Sequence, residues 1–78
     1  MRSNIEALRI ANKIKDMYLN GDIKKAFNYA KRLKHVRVRR LKSFYNVRNS
    51  EIIEKNISAI IVRFNSFGDT YRIDIMYK

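Results

Sequence analysis

Residues 35–48, HVRVRRLKSFYNVR, fit two backbones, and the choice sets both the size of any sheet and the direction its arginines face. Wound as a helix, the segment places Arg37, Arg40 and Arg48 in the middle of the apolar arc made by Leu33, Val36, Leu41, Phe44 and Val47. That arrangement buries charge with no partner to offset the lost hydration. Extended, the segment sends Val36 and Val38 to one side and Arg37 and Arg39 to the other. A strand over 36–46 is therefore expected, with a bulge at Arg39 and Arg40 that lets Leu41, Tyr45 and Val47 return to the inner side.

A partner for that strand lies downstream. Ile60, Val62 and Phe64 alternate with Ile61 and Arg63, and Tyr71, Ile73, Ile75 and Tyr77 alternate with Arg72, Asp74 and Met76. Between the two runs stands Asn65-Ser66-Phe67-Gly68-Asp69, rich in turn formers, so a β-hairpin is predicted. Its Ile60, Val62, Phe64, Tyr71, Ile73 and Ile75 face should pack on helices, because a two-stranded ribbon alone is marginal in water. The other face, with Ala59, Ile61, Arg63, Arg72, Asp74 and Met76, is mixed; Ile61 and Met76 would serve a homodimer contact through the hairpin or be covered by a loop. Residues 50–55 read as a short linker or a single helical turn.

Upstream, Ser3-Asn4-Ile5-Glu6 is a capping-box sequence, followed by a helix over 4–19 whose Ala7, Leu8, Ile10, Ala11, Ile14, Met17, Tyr18 and Leu19 cover more than half of its circumference. Gly21 supplies a left-handed stop and Asp22 an N-cap, so a second helix is predicted over 23–34 after a tight turn. Its buried stripe is Ile23, Ala26, Phe27, Tyr29, Ala30 and Leu33, and Lys24, Lys25, Asn28, Lys31 and Arg32 fall together on the opposite side. The stretch MYLNGDIKKAFNYAKRL resembles a tetratricopeptide-type helical hairpin, but it occurs once, and such repeats need several copies to bury their faces; an ordinary αα-hairpin is the reading. The fold expected is a single α+β domain over 1–78: an N-terminal αα-hairpin packed on a small antiparallel sheet of two or three strands, in the order ααβββ.

Charge is unevenly spread along this chain. Residues 23–50 hold ten of the eighteen Lys and Arg and none of the seven Asp and Glu, while the rest is nearly balanced. Three readings fit such a block: a solvated face, a phosphate-binding surface, and a contact for an acidic protein. Phosphate binding leads, because arginine forks onto phosphate oxygens and Arg37, Arg39, Arg40 and Arg48 stand beside the aromatic pair Phe44 and Tyr45, of which a strand turns only one outward. An outward aromatic beside arginines stacks unpaired bases. The expected contact set is Lys24, Lys25, Lys31, Arg32, Arg37, Arg39, Arg40, Lys42, Arg48 and Tyr45, on the backbone of DNA or RNA. The alternative is a small accessory or phage-like inhibitor or adaptor that binds an acidic protein partner of nucleic-acid machinery.

Enzymatic readings find less support. A chain with no Cys and one His, His35, has neither a disulfide nor the Cys and His set of a structural zinc site. Glu51 and Glu54 are three apart and Asp69 and Asp74 flank the hairpin turn, without the spacing of a metal-dependent nuclease. No phosphate loop or dinucleotide fingerprint occurs, and no cofactor is expected. His35 reads as a bystander at the end of the second helix before it reads as a phosphate contact. The longest apolar run, residues 59–62, is far below the roughly 20 residues of a membrane span, and the N-terminal stretch lacks a signal-peptide core, so no membrane association and a reducing, cytoplasmic setting are expected.

Two helices followed by RRLKSFYNV, SAIIVRF and TYRIDIMYK resemble the later part of RelE-type ribosome-dependent messenger RNA endonuclease toxins, in layout over residues 5–78. The shared residues are mostly an Arg-Leu-Lys before the sheet and a Tyr-Arg within it, and the strand that precedes the helices in that family has no counterpart. The resemblance implies a metal-independent endoribonuclease using Arg40, Lys42, Arg63, Arg72, Tyr77 and Lys78 to position phosphate and move protons.

Overall fold

The structure, a computed structural model, describes residues 3–77. Two helices, α1 (Asn4–Leu19) and α2 (Ile23–Arg32), precede four strands, β1 (Val36–Arg40), β2 (Ile53–Lys55), β3 (Ala59–Ser66) and β4 (Asp69–Met76). The strands form one antiparallel sheet in the order β1-β4-β3-β2, so the α+β class is as read from the sequence. The expected two or three strands become four. The added strand, β2, pairs Ile53 with Val62 and Lys55 with Ile60 inside the segment read as a linker, after a single 3-10 turn at Asn49–Glu51. Three residues are too few for an alternation to register, which is why periodicity does not find them.

Local chemistry sets the helix ends. The Ser3 hydroxyl accepts from the Glu6 N–H at 3.1 Å, opening α1 where the capping sequence stands. At its other end the Asp22 N–H reaches the Met17 carbonyl and the Gly21 N–H the Tyr18 carbonyl, a Schellman closure that needs the left-handed φ of 85° held by Gly21. Asp22 occupies the N-cap position of α2, but its side chain makes no capping bond. Helix α2 stops two residues short of the predicted end, since the chain reverses into β1 through His35, exposed and at φ 59°.

The core lies between the helices and one face of the sheet. Ala7, Ile10, Ala11 and Ile14 of α1 and Ala26 and Ala30 of α2 meet Ile60, Val62, Phe64, Ile73 and Ile75, the hairpin face expected to turn inward. Small residues on the helices let the backbones approach the sheet, and Phe64 fills the remaining volume. It stacks on Tyr18 at 4.8 Å and meets Phe27 at 5.4 Å, and Phe27 in turn meets Tyr71 edge-on at 4.9 Å. Ring pairs of this geometry each add about 0.5–1.5 kcal/mol beyond the area they bury. Ile52, just before β2, closes the same core from the opposite edge of the sheet. Among the described residues no helix is long and apolar enough to cross a membrane.

Strand β1 ends at Arg40, not at residue 46, and the expected bulge is not formed. The Leu41 N–H still donates to the Thr70 carbonyl at 2.8 Å; beyond it residues 42–48 leave the ladder and cross the end of the sheet from the β1 edge to the β2 edge. Side chains replace the ladder bonds that this crossing gives up. The Tyr45 N–H donates to Thr70 Oγ1 at 3.1 Å, the Val47 N–H to Asn65 Oδ1 at 2.7 Å, and Asn65 Nδ2 to the Tyr45 carbonyl at 2.8 Å. Asn65 and Thr70 face each other across β3 and β4, so one rung of the hairpin holds the strap.

The outer face of the hairpin also differs from expectation. Ile61 is 1% exposed, so it is unavailable for the dimer contact considered above. In register it sits between Asp74 of β4 and Glu54 of β2, two rungs from the Arg63–Arg72 pair.

Candidate nucleic-acid interface

The pleat divides the basic block. Val36 and Val38 pack against the core, so Arg37 and Arg39 project from the opposite face, where Arg63, Arg72, Asp74 and Glu54 also lie. Lys24, Lys25, Lys31 and Arg32 stand on the solvent side of α2, in the other layer. The ten residues read as one contact surface are thus on three: the α2 face, the outer sheet face, and the strap that carries Lys42, Tyr45 and Arg48.

On the sheet the arginines are arranged by register. Arg39 opposes Arg72, and Arg72 opposes Arg63, which puts three guanidinium side chains in one row across β1, β4 and β3. Like charges directly opposite destabilise a sheet. Two carboxylates offset them. Asp74, nearly buried, accepts from Arg72 Nε at 2.6 Å and from Arg39 Nη2 at 3.1 Å, and Glu54 accepts from Arg63. Arg37 is the cross-strand neighbour of the same Asp74. These arginines are largely engaged within the protein.

The face of α2 differs in this respect. Among the described residues Lys24, Lys25, Lys31 and Arg32 have no carboxylate within ion-pair distance, and together with Gly21, Asp22, Ile23 and Asn28 they border one open depression. Lys31 also lies 5.9 Å from the Phe27 ring and shares a second depression with Val38, Tyr71 and Arg40. Arg40 has the inward parity of Val36 and Val38, so at the end of its strand it turns toward α2 and extends that cationic surface around the sheet edge. Its contact with Asp69 is long, 3.8 Å, and both side chains are exposed. Such a pair contributes little and is readily exchanged for a phosphate.

In the strap, Phe44 and Tyr45 are both exposed, at 56% and 41%. The expectation that one of them enters the core fails because the segment is not a strand, and alternation does not apply. Arg48 donates its backbone N–H to Glu51 Oε1 at 3.0 Å, and its guanidinium lies 3.5 Å from the same oxygen. The backbone bond first, and the Arg48 charge with it, hold the Glu51 carboxyl below its ordinary value of 4.5.

Of the set implied by the RelE-type resemblance, Arg63 and Arg72 are neighbours on the outer face, Arg40 turns to the other side, and Lys42 is in the strap. The Tyr77 hydroxyl donates to the Asn56 carbonyl at the far end of the sheet, and Lys78 lies outside the described residues. The described members do not converge on one point. Among the described residues no three His, Asp or Glu side chains group as a cation site would. Sequence reasoning missed Phe67, whose only signal is its position before Gly68 in the hairpin turn, where Asn is the usual occupant. The chain matches no protein-family model, no curated protein and no solved structure.

Proposed function

We propose that the protein is a small non-enzymatic nucleic-acid-binding protein that contacts phosphates through Lys24, Lys25, Lys31 and Arg32 of α2 and through Arg40 at the adjoining sheet edge. The observation that carries this reading is the contrast in pairing. Arg39, Arg63 and Arg72 of the sheet are held by Asp74 and Glu54, whereas the α2 cations have no carboxylate partner among the described residues. Unpaired cations on one rigid face attract a polyanion, and releasing its counterions supplies most of the affinity. With one sign along the helix and no acidic residue from position 23 to 50, the surface has little to repel a phosphate backbone.

Binding should weaken steeply with salt. Five phosphate contacts give a slope of log affinity against log salt of about −4.5 on duplex DNA and about −3.5 on single strands. Electrophoretic mobility shifts with duplex DNA, single-stranded DNA and RNA across a salt series measure it. A flat response for all three would remove the proposal and turn attention to an acidic protein as the partner of the α2 face.

A further inference from the structure

Phe67 is unfavourably placed for the isolated molecule in two independent ways. Its side chain is 98% exposed, and its φ of 50° lies in the left-handed region. With Gly68 at φ 82° and Ser66 paired to Asp69, residues 67 and 68 form a two-residue turn of type I′, whose first position favours Asn, Asp or Gly. A bulky residue there costs backbone strain and presents a large apolar ring to water, with nothing gained inside the fold. Strain of this kind collects where a side chain must be aimed outward.

The surroundings indicate what the ring meets. One rung below the Ser66–Asp69 pair, Asn65 and Thr70 fix the backbone of Tyr45, so the exposed Phe44 and Tyr45 are presented next to the hairpin tip by a strap that is held in place. Arg40 reaches Asp69 on the other side of the same tip. The α1–α2 turn follows Tyr18, which stacks on Phe64 near the end of β3, so Lys24 and Lys25 begin at this end of the molecule too. Phe67 and Phe44 therefore stand at the end of the molecule where α2 begins, whereas Tyr45 lines a depression with Arg63, Glu51 and Glu54.

We infer that this end binds an unpaired segment of nucleic acid, with bases stacked on Phe67 and Phe44 while its phosphates lie along Arg40 and the first turn of α2. The inference rests on the phosphate-binding reading and adds to it a preference for single strands. Charge selects this occupant over an apolar protein pocket: Arg40 reaches Asp69 at the same hairpin tip, α2 with Lys24 and Lys25 begins at this end, and base–aromatic stacking beside cations is how sequence-tolerant single-strand sites work. In a duplex the base faces are already stacked on one another and are not free for the rings.

The decisive variant is Phe67→Asn, because its structural and binding effects have opposite signs. Asn tolerates the left-handed backbone, so the thermal midpoint should rise. Affinity for a short oligodeoxythymidylate, and for the oligouridylate of the same length, should fall roughly tenfold, with the salt slope unchanged because no cation is removed. Phe44→Ala should lower the same affinities without altering the slope. The DNA and RNA arms distinguish the two sources of unpaired bases. The inference is overturned if both variants bind single strands as tightly as the original chain, or if a duplex of equal length binds as tightly as the single strand. Either result leaves salt-dependent phosphate binding intact, whereas failure of the original chain to bind any of the three probes removes both readings.

Discussion

Helix α2 and the outer face of the sheet each carry four cations, yet they use them differently. On the sheet, Arg39 and Arg72 share Asp74, Arg63 holds Glu54, and Arg37 is the cross-strand neighbour of Asp74, so charge there is part of the architecture. On α2, Lys24, Lys25, Lys31 and Arg32 face solvent without a carboxylate partner among the described residues. The difference follows from what each element can place opposite a cation. Register fixes neighbours on a sheet, so one aspartate in the right rung serves two arginines. Helix α2 has no acidic residue of its own, and Asp22 at its N-cap borders the same depression without coming within ion-pair distance of the four cations. Charge density along a sequence thus overstates the surface available to a partner, and the unpaired fraction is the informative quantity.

The strongest way to break the contrast is Asp74→Ala. Losing an acceptor that is nearly buried leaves a row of opposed arginines, and an expected loss of about 2–3 kcal/mol is below the roughly 3–5 kcal/mol of a fully buried pair because both arginines reach solvent. Urea unfolding measures it; a change within about 0.5 kcal/mol would mean the sheet cations are as unengaged as those of α2. Thr70→Val comes next. It removes the hydroxyl that both accepts from and donates to the Tyr45 backbone, and stability should fall by about 1–2 kcal/mol, the cost of groups left without partners. Equal stability of the variant would show that the strap is not held by this rung.

The helix should respond in the opposite sense. Replacing Lys24 and Lys25 together by Gln should leave stability within about 0.5 kcal/mol while reducing the salt slope on duplex DNA by about 1.8, two contacts at 0.9 each. A loss of stability with no change in slope would reverse the roles assigned to the two faces. The smallest effect is expected at Glu51, whose carboxyl is held below 4.5 by the Arg48 N–H. Its proton binds less well in the folded than in the unfolded chain, so its contribution is present above 4.5 and fades as pH falls through the folded value. Carboxyl titration by nuclear magnetic resonance should place its midpoint under 4.5, and a midpoint at or above that value would show the Arg48 contact to be absent in solution.

Much of the secondary structure is legible in the sequence alone. Helix α1 begins and ends where Ser3 and Gly21 put it, and the hairpin turns at Phe67 and Gly68 between two alternating runs. The misreadings have one cause. Strand β2 has three residues, and the strap over 42–48 takes its hydrogen bonds from Asn65 and Thr70, far along the chain. Neither leaves a periodic trace. The candidate site was legible in part: the one-signed face of α2 was visible from helical spacing, but the separation of Arg40 from Arg37 and Arg39 was not.

Helix and hairpin signals act over a few residues, through hydrogen bonds and side-chain periods that repeat every two or every 3.6 positions, so composition and spacing alone were enough to specify them. Which cations remain free is a matter of pairs such as Arg39 and Asp74, 35 residues apart, brought together only when β1 joins the edge of β4. Their distance depends on strand order and register, and these arise from burial of the whole core, not from any local pattern.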